Sequence, residues 1–209
     1  KYLWLDIRGL NDIPFIESIG SKFDIHRLWL EDILHVQQLG KFDDVEGNCF
    51  ISIPFLSLNH ETQTIEKEQI SIFFNKQLVI SFQENPANTF LGIKDRIWQN
   101  PKRFAERRPD YLAYAMLDLT IDNYLEVINF LEERIDQYEY NIESDPNVYL
   151  KKRIYHFRRE CTNFTRLVSP AREIVQKFKL SNSEAISKET RIYLSDLHDH
   201  AQQVNQSSE

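Results

Sequence analysis

Residues 109–142 read PDYLAYAMLDLTIDNYLEVINFLEERIDQYEYNI. The apolar positions Leu117, Ile121, Tyr124, Ile128, Leu131, Ile135, Tyr138 and Ile142 recur at alternating intervals of four and three. That spacing lines one stripe of a helix and sustains an a/d seam for more than three heptads. A seam of this length needs an apolar partner. Beyond a break at Ser144-Asp145-Pro146-Asn147, a second run repeats the rhythm through Leu150, Ile154, Phe157, Cys161, Phe164, Val168, Ala171, Val175 and Phe178. Two seams joined by a short Pro-containing turn predict an antiparallel helical hairpin, each helix longer than about 30 residues, or about 45 Å. The charges agree with that orientation. Glu132, Glu133, Asp136 and Glu139 crowd the end of the first helix, and Lys151, Lys152, Arg153, Arg158 and Arg159 the start of the second. Exposed pairs of this kind contribute only about 0–1 kcal/mol each, so they select orientation more than they stabilise.

Upstream of Pro109 the pattern is α+β. Tyr2–Ile7 reads as a strand closed by Gly9, and Ile13–Phe23 and Ile25–Leu34 as helices. Asn48–Leu58 is a Phe- and Ile-rich strand whose Pro54 suits an edge or a bulge. Glu68–Phe74 and Leu78–Gln83 form a hairpin through the short turn Asn75-Lys76-Gln77. Asn88–Gln99 returns to helix. Downstream of the long seams, Ser181–Ser187 is a polar linker, and a third helix starts near Lys188 with few apolar residues: Ile192, Leu194, Leu197 and Val204. Such a helix cannot bury much alone; it packs on a neighbour or continues into something further on.

The composition bounds the function. The chain has 209 residues, 42% hydrophobic and 27% charged, enough for one domain with a large core. A net charge of −7 opposes nucleic-acid or anionic-lipid binding, which needs a basic surface, and suits a cation-handling one. Cys49 and Cys161 form no motif, each lies in an apolar pattern, and a reducing, cytosolic setting is expected. No run of about 18 apolar residues occurs, so no segment reads as a membrane-crossing helix. Lys1 enters a strand-like run at once and Glu209 lies inside a helical pattern, which we read as ends within a longer protein.

Few residues offer chemistry. There is no Gly-rich phosphate loop, His-Glu-x-x-His, paired-Cys motif or nucleophile elbow, so no enzyme is expected. His26, His35, His60 and His156 are scattered and suit ordinary surface or core roles. In Asp196-Leu197-His198-Asp199-His200, helical spacing puts Asp196, Asp199 and His200 on one face, where carboxylate and imidazole could share an ion. Asp118 and Asp122 form an i, i+4 acidic pair early on the long helix, where the dipole favours carboxylates. A solvated helix face accounts for either spacing more simply, and neither set completes a site within one chain.

The ordered segments resemble the CorA family of magnesium and cobalt channels. Trp4-Leu5-Asp6-Ile7-Arg8-Gly9-Leu10 looks like its opening strand, and Phe23-Asp24-Ile25-His26-Arg27-Leu28-Trp29-Leu30-Glu31-Asp32-Ile33-Leu34 like its F-G-(I/L)-H-P-L-x-x-E-D-I-L segment. Glu68-Gln69-Ile70-Ser71 and Phe82-Gln83-Glu84 are similar to its central hairpin. Asp110-Tyr111-Leu112-Ala113-Tyr114, with Asp118 and Asp122, resembles its D-Y-L-L-Y helix start, and Pro170-Ala171-Arg172-Glu173 fits its second long helix. Tyr193-Leu194-Ser195-Asp196-Leu197-His198-Asp199-His200 resembles its Y-x-R-D-V-x-D-H stalk. Departures are Asp24 and Arg27 for Gly and Pro, Leu39-Gly40 for Arg-Pro, Ser195 for Arg, and His198 for an aromatic or aliphatic residue. The family's G-M-N signature falls after Glu209.

The resemblance implies a mixed β-sheet sandwiched by helices over residues 1–108, the long helical hairpin over 109–180, and the start of a stalk and pore helix over 188–209. It implies a homopentamer anchored in the inner membrane by helices beyond this sequence, with this part on the cytoplasmic side. It also implies regulatory Mg2+, replaceable by Co2+, between subunits. Asp32 of one subunit would face Asp196 of the next, and Glu31, Asp118 and His200 would form or support a second, nearby site. A zinc-transporting branch is the close alternative, because His198 and His200 add nitrogen ligands; a coiled-coil scaffold without metal is the distant one.

Overall fold

The computed structural model describes residues 2–36, 39–144 and 148–208. β1 (Leu3–Arg8) leads into α1 (Ile13–Lys22) and α2 (Arg27–Leu34). Then come β2 (Lys41–Val45), β3 (Asn48–Asn59), β4 (Thr64–Phe74) and β5 (Leu78–Gln83), followed by α3 (Leu91–Gln99) and α4 (Pro101–Ala105). The remainder is helical: α5 (Pro109–Ser144), α6 (Val148–Val168), α7 (Ala171–Leu180) and α8 (Lys188–Ser207).

The five strands form one mixed sheet in the order β1-β5-β4-β3-β2, with β1 parallel to β5 and every other pair antiparallel. Strand alternation sends side chains to two separate cores. Ile16, Ile25, Trp29 and Ile33 of the α1–α2 segment cover Phe50, Phe73, Ile80 and Phe82 on one face. On the other, Ile51, Ile53, Ile70, Ile72, Phe74 and Val79 meet the buried stripes of α5, α7 and α8. Consecutive residues such as Phe73 and Phe74 therefore serve different layers, as a period of two requires. This is the α+β sandwich expected from the sequence.

Local chemistry explains the junctions. Asn75 Oδ1 accepts from the backbone N–H groups of Gln77 and Leu78 and closes the β4–β5 turn. Pro54 lies in an interior strand, yet β2 pairs only with residues 48–52, so Pro54 has a strand neighbour on one side alone. Its carbonyl accepts from the buried Tyr124 hydroxyl of α5.

Four features depart from the sequence reading. β2 was not anticipated, because Lys-Phe-Asp-Asp-Val lacks an apolar alternation; the two-residue turn Glu46-Gly47, at φ +51° and +81°, folds it back on β3. β4 begins at Thr64 rather than Glu68, carried by the long ladder with β3. α4 is an additional short helix. The second long seam is carried by two helices: it breaks at Ser169-Pro170, where proline supplies no N–H to a continuing helix.

α5 runs unbroken for 36 residues. It lies antiparallel to α6, because Arg134 pairs with Glu160 at 2.9 Å while Tyr138, further on, meets Phe157, earlier in the partner. Among the described residues the ion pair across the hairpin thus has its base on the first helix and its acid on the second, the reverse of the expected charge pairing. Asp145–Asn147, read as the turn, lie outside the described residues, as do the side chains of Glu139, Ile142, Leu150 and Lys151. α8 packs on α5 and α7 through Leu194, Leu197, Ala201 and Val204, while Ile192 faces outward.

Candidate metal sites

The buried stripe of α5 fixes what its flank presents. Leu117, Ile121 and Tyr124 point into the core, so Asp118 and Asp122, each one position on, emerge at the edge of that stripe. The apolar positions of α8 bury Leu197, Ala201 and Val204, and His200 beside them is half-buried. Packing α8 on α5 brings the three polar groups together: Asp118, Asp122 and His200 each offer a ligand atom within 4.8 Å of the others. His200 Nδ1 is buried without a hydrogen-bond partner among the described residues.

The electrostatics of this cluster suit a cation. Burial, and then the Asp122 charge, push the Asp118 carboxyl above the usual carboxylate range, against the lowering effects of His200, Arg96 and the Tyr114 hydroxyl. The Tyr114 phenol is itself raised, first by burial and then by Asp118. The half-buried Asp118 carboxylate and the exposed Asp122 one beside it repel, and a divalent ion removes that cost. Two oxygens and one nitrogen fit Mg2+ through the carboxylates, with the imidazole better matched to a transition ion. The chain's own residues therefore fit the ion that the resemblance implies.

Asp196 and Asp199 are exposed on α8, one turn and one residue before His200. Asp196 acts on the raised Tyr114 phenol through its charge but stands outside the cluster. Asp196 shares a helix face with His200, as the spacing predicts, but its exposed carboxylate stays outside the cluster that His200 forms with α5.

Asp32 and Glu31 sit on α2, on the opposite side of the sheet from α8. Asp32 is only 8% exposed, and its Oδ2 lies 2.6 Å from Lys41 Nζ at the start of β2. The contact is an ion pair without aligned hydrogen-bond geometry, since no donor satisfies that oxygen by direction. Lys41 also pairs with Asp43 at 2.8 Å. Burial pushes the Lys41 ammonium down, and the attraction of Asp32 and Asp43 outweighs that, leaving it above its ordinary value. Glu31 is exposed and lies 3.8 Å from Arg27.

The structure thus assembles two of the five expected ligands, Asp118 and His200, within one chain and adds Asp122 to them. It leaves Asp32, Glu31 and Asp196 apart. Asp122 was visible in the sequence as an i, i+4 partner of Asp118. Lys41 as the partner of Asp32 was not, because it depends on a strand the pattern does not announce.

The family model described as "CorA-like Mg2+ transporter protein" matches residues 1–209. The cobalt/magnesium transport protein CorA of Thermotoga maritima is 29% identical over 201 residues, which is 96% of this chain and 57% of that protein. This chain therefore spans little more than half of that relative. Among solved structures, the CorA magnesium transporter of Methanocaldococcus jannaschii superposes with a TM-score of 0.80 at 17% identity, covering 98% of this chain and 64% of the other. The ZntB cytoplasmic domain of Vibrio parahaemolyticus superposes with a TM-score of 0.78 at 14% identity, covering 98% and 80%. No helix among the described residues is long and apolar enough to cross a membrane.

Proposed function

The chain belongs to the CorA-like Mg2+ transporter family, and from that premise we propose that it is the cation-sensing part of a homopentameric membrane transporter for Mg2+ and Co2+. In this reading, Mg2+ held between neighbouring subunits favours the closed pentamer. The observation that carries the reading is the separation of the acidic residues. Asp32 is buried on one layer of the sandwich and Asp196 is exposed on another, so the two can share an ion only when a second copy presents one to the other. Asp118, Asp122 and His200 stand ready as a second site, with Glu31 in support from the neighbouring subunit.

Mg2+ keeps most of its water and needs only one or two carboxylates, which gives weak binding suited to sensing an abundant ion. When bound, the ion supplies charge neutralisation. Without it, two carboxylates about 6 Å apart repel by about 3 kcal/mol at an effective dielectric of about 20. Repeated around a ring, that repulsion splays the subunits and biases the assembly towards opening.

The test uses the full-length protein. Millimolar Mg2+ raises its melting temperature and protease resistance, and Asp32→Ala or Asp196→Ala removes the gain. A wild-type protein that gains no protection from Mg2+ sinks the sensing reading. A zinc-handling reading draws on the imidazoles of His198 and His200. Uptake of Mg2+ and Zn2+ by a strain deficient in both separates the two, since the first reading requires rescue by Mg2+.

A further inference from the structure

Lys41 is the group at the proposed sensing carboxylate that the sensing reading does not use. Its ammonium stands 2.6 Å from Asp32 and 2.8 Å from Asp43, and 5.8 Å from the centre of the Phe50 ring. Both partners are held by rigid elements. Asp32 lies on α2, anchored where Trp29 stacks on Phe50 with ring centres 5.5 Å apart. Lys41 opens β2, and the residue before it is pinned: a Cβ on Gly40 would come within 2.8 Å of Ile174 Cδ1 and 3.0 Å of the Ser52 carbonyl.

From this geometry we infer that Lys41 is a built-in competitor for the cation at Asp32, and that it sets the Mg2+ concentration to which the sensor responds. The inference rests on the reading of Asp32 as a sensing ligand. An ammonium is a compact point charge, and here it neutralises a nearly buried carboxylate that would otherwise be left uncompensated. A divalent ion arriving at Asp32 meets a cation already in place, and it must move Lys41 aside or bear like-charge repulsion. Asp43 gives the displaced lysine somewhere to go. It already contacts the ammonium and, with a side chain 40% exposed, can hold it without Asp32, whose side chain is 11% exposed. The lysine therefore exchanges a shared position between two carboxylates for one on Asp43 alone, and Asp32 is freed. Competition of this kind is a coupling between two cations at one ligand, typically worth about 5–150-fold in affinity.

The experiment follows thermal protection of the full-length protein over a Mg2+ titration. Lys41→Met removes the competitor, and Lys41→Gln removes its charge while keeping a donor towards Asp32 in case the apolar variant folds poorly. Lys67→Met, an exposed lysine on β4, makes the same change in net charge elsewhere. The expected result is a Mg2+ midpoint lowered about tenfold in both Lys41 variants and unchanged in Lys67→Met. Asp43→Asn, which takes away the refuge of the displaced lysine, raises the midpoint. A Mg2+ response whose midpoint is the same in wild type, Lys41→Met and Lys41→Gln overturns the competition and leaves the sensing reading standing. A chain that gains no Mg2+ protection, with or without Lys41, overturns both.

Discussion

At the scale of single residues, the cluster on α5 and α8 carries its own pH signature. Asp118 keeps its proton to higher pH in the folded chain than in the unfolded one, through burial first and then the Asp122 charge. Between the ordinary carboxylate value and the raised one, the native state binds more protons than the unfolded state, so metal-free stability falls as pH rises through that window. Asp118→Asn removes both the half-buried charge and the like-charge i, i+4 pair with Asp122. The metal-free variant should be more stable than wild type at neutral pH by about 0.2–0.5 kcal/mol, with a flatter dependence of melting temperature on pH in the acid range. The same substitution should weaken metal binding, because the amide offers a hard cation no negative charge. An Asp118→Asn chain that is less stable than wild type at neutral pH and keeps the same acid profile would show that the carboxylate stabilises this fold. The sequence exposed the spacing of Asp118 and Asp122 but could not say which face His200 presents. That choice is made by Leu197, Ala201 and Val204 packing against α5, a tertiary event.

At the scale of elements, the start of α8 is tied to the start of α5 by one buried carboxylate. Asp110 is fully buried, and its Oδ2 accepts from the backbone N–H of Ser187 at 2.6 Å. Ser187 is the N-cap of α8, its hydroxyl accepting from Thr190 N at 3.1 Å. Asp110 thus satisfies an N–H at the mouth of one helix while standing in the first turn of another, where both dipoles favour negative charge. Asp110→Ala leaves that N–H unpaired and should cost about 1–3 kcal/mol in unfolding free energy, whereas Asp110→Asn keeps an acceptor and should cost less. Equal losses in the two variants, measured by denaturant unfolding, would place the effect in the charge and not in the bond. Elements with a long period were legible beforehand. α5 and β5 match their predicted spans closely, because a seam of more than three heptads and a mostly apolar strand after a short turn leave little choice. The elements missed are those whose stability is not local. β2 has charged residues at three of its five positions and is held by pairing to β3, and the break between α6 and α7 comes from a single proline inside an otherwise continuous seam.

At the scale of the whole molecule, one sheet is shared by two cores on its opposite faces, and a shared strand can pass a disturbance from one to the other. Phe178 of α7 lies against Phe42 and Phe74, with ring centres 5.4 and 5.2 Å away. On the far face, Ile33 of α2 packs in the core that contains Phe73, the neighbour of Phe74 along β4. Truncating Phe178 removes contacts on one face only, yet the strand it loosens carries the other face as well. Phe178→Ala should therefore cost about 3–5 kcal/mol, and the loss should also appear in the hydrogen exchange of the amides of α2, whose buried face packs in the other core. Ile33→Ala should cost about 2–5 kcal/mol and speed exchange in α7 in return. Were Phe178→Ala to speed exchange in α7 and α8 while α2 kept its protection, the two layers would be independent units that merely share a sheet. Reciprocal loss, by contrast, would give the molecule a physical route by which a change at Asp32 on one layer reaches Asp118 and His200 on the other.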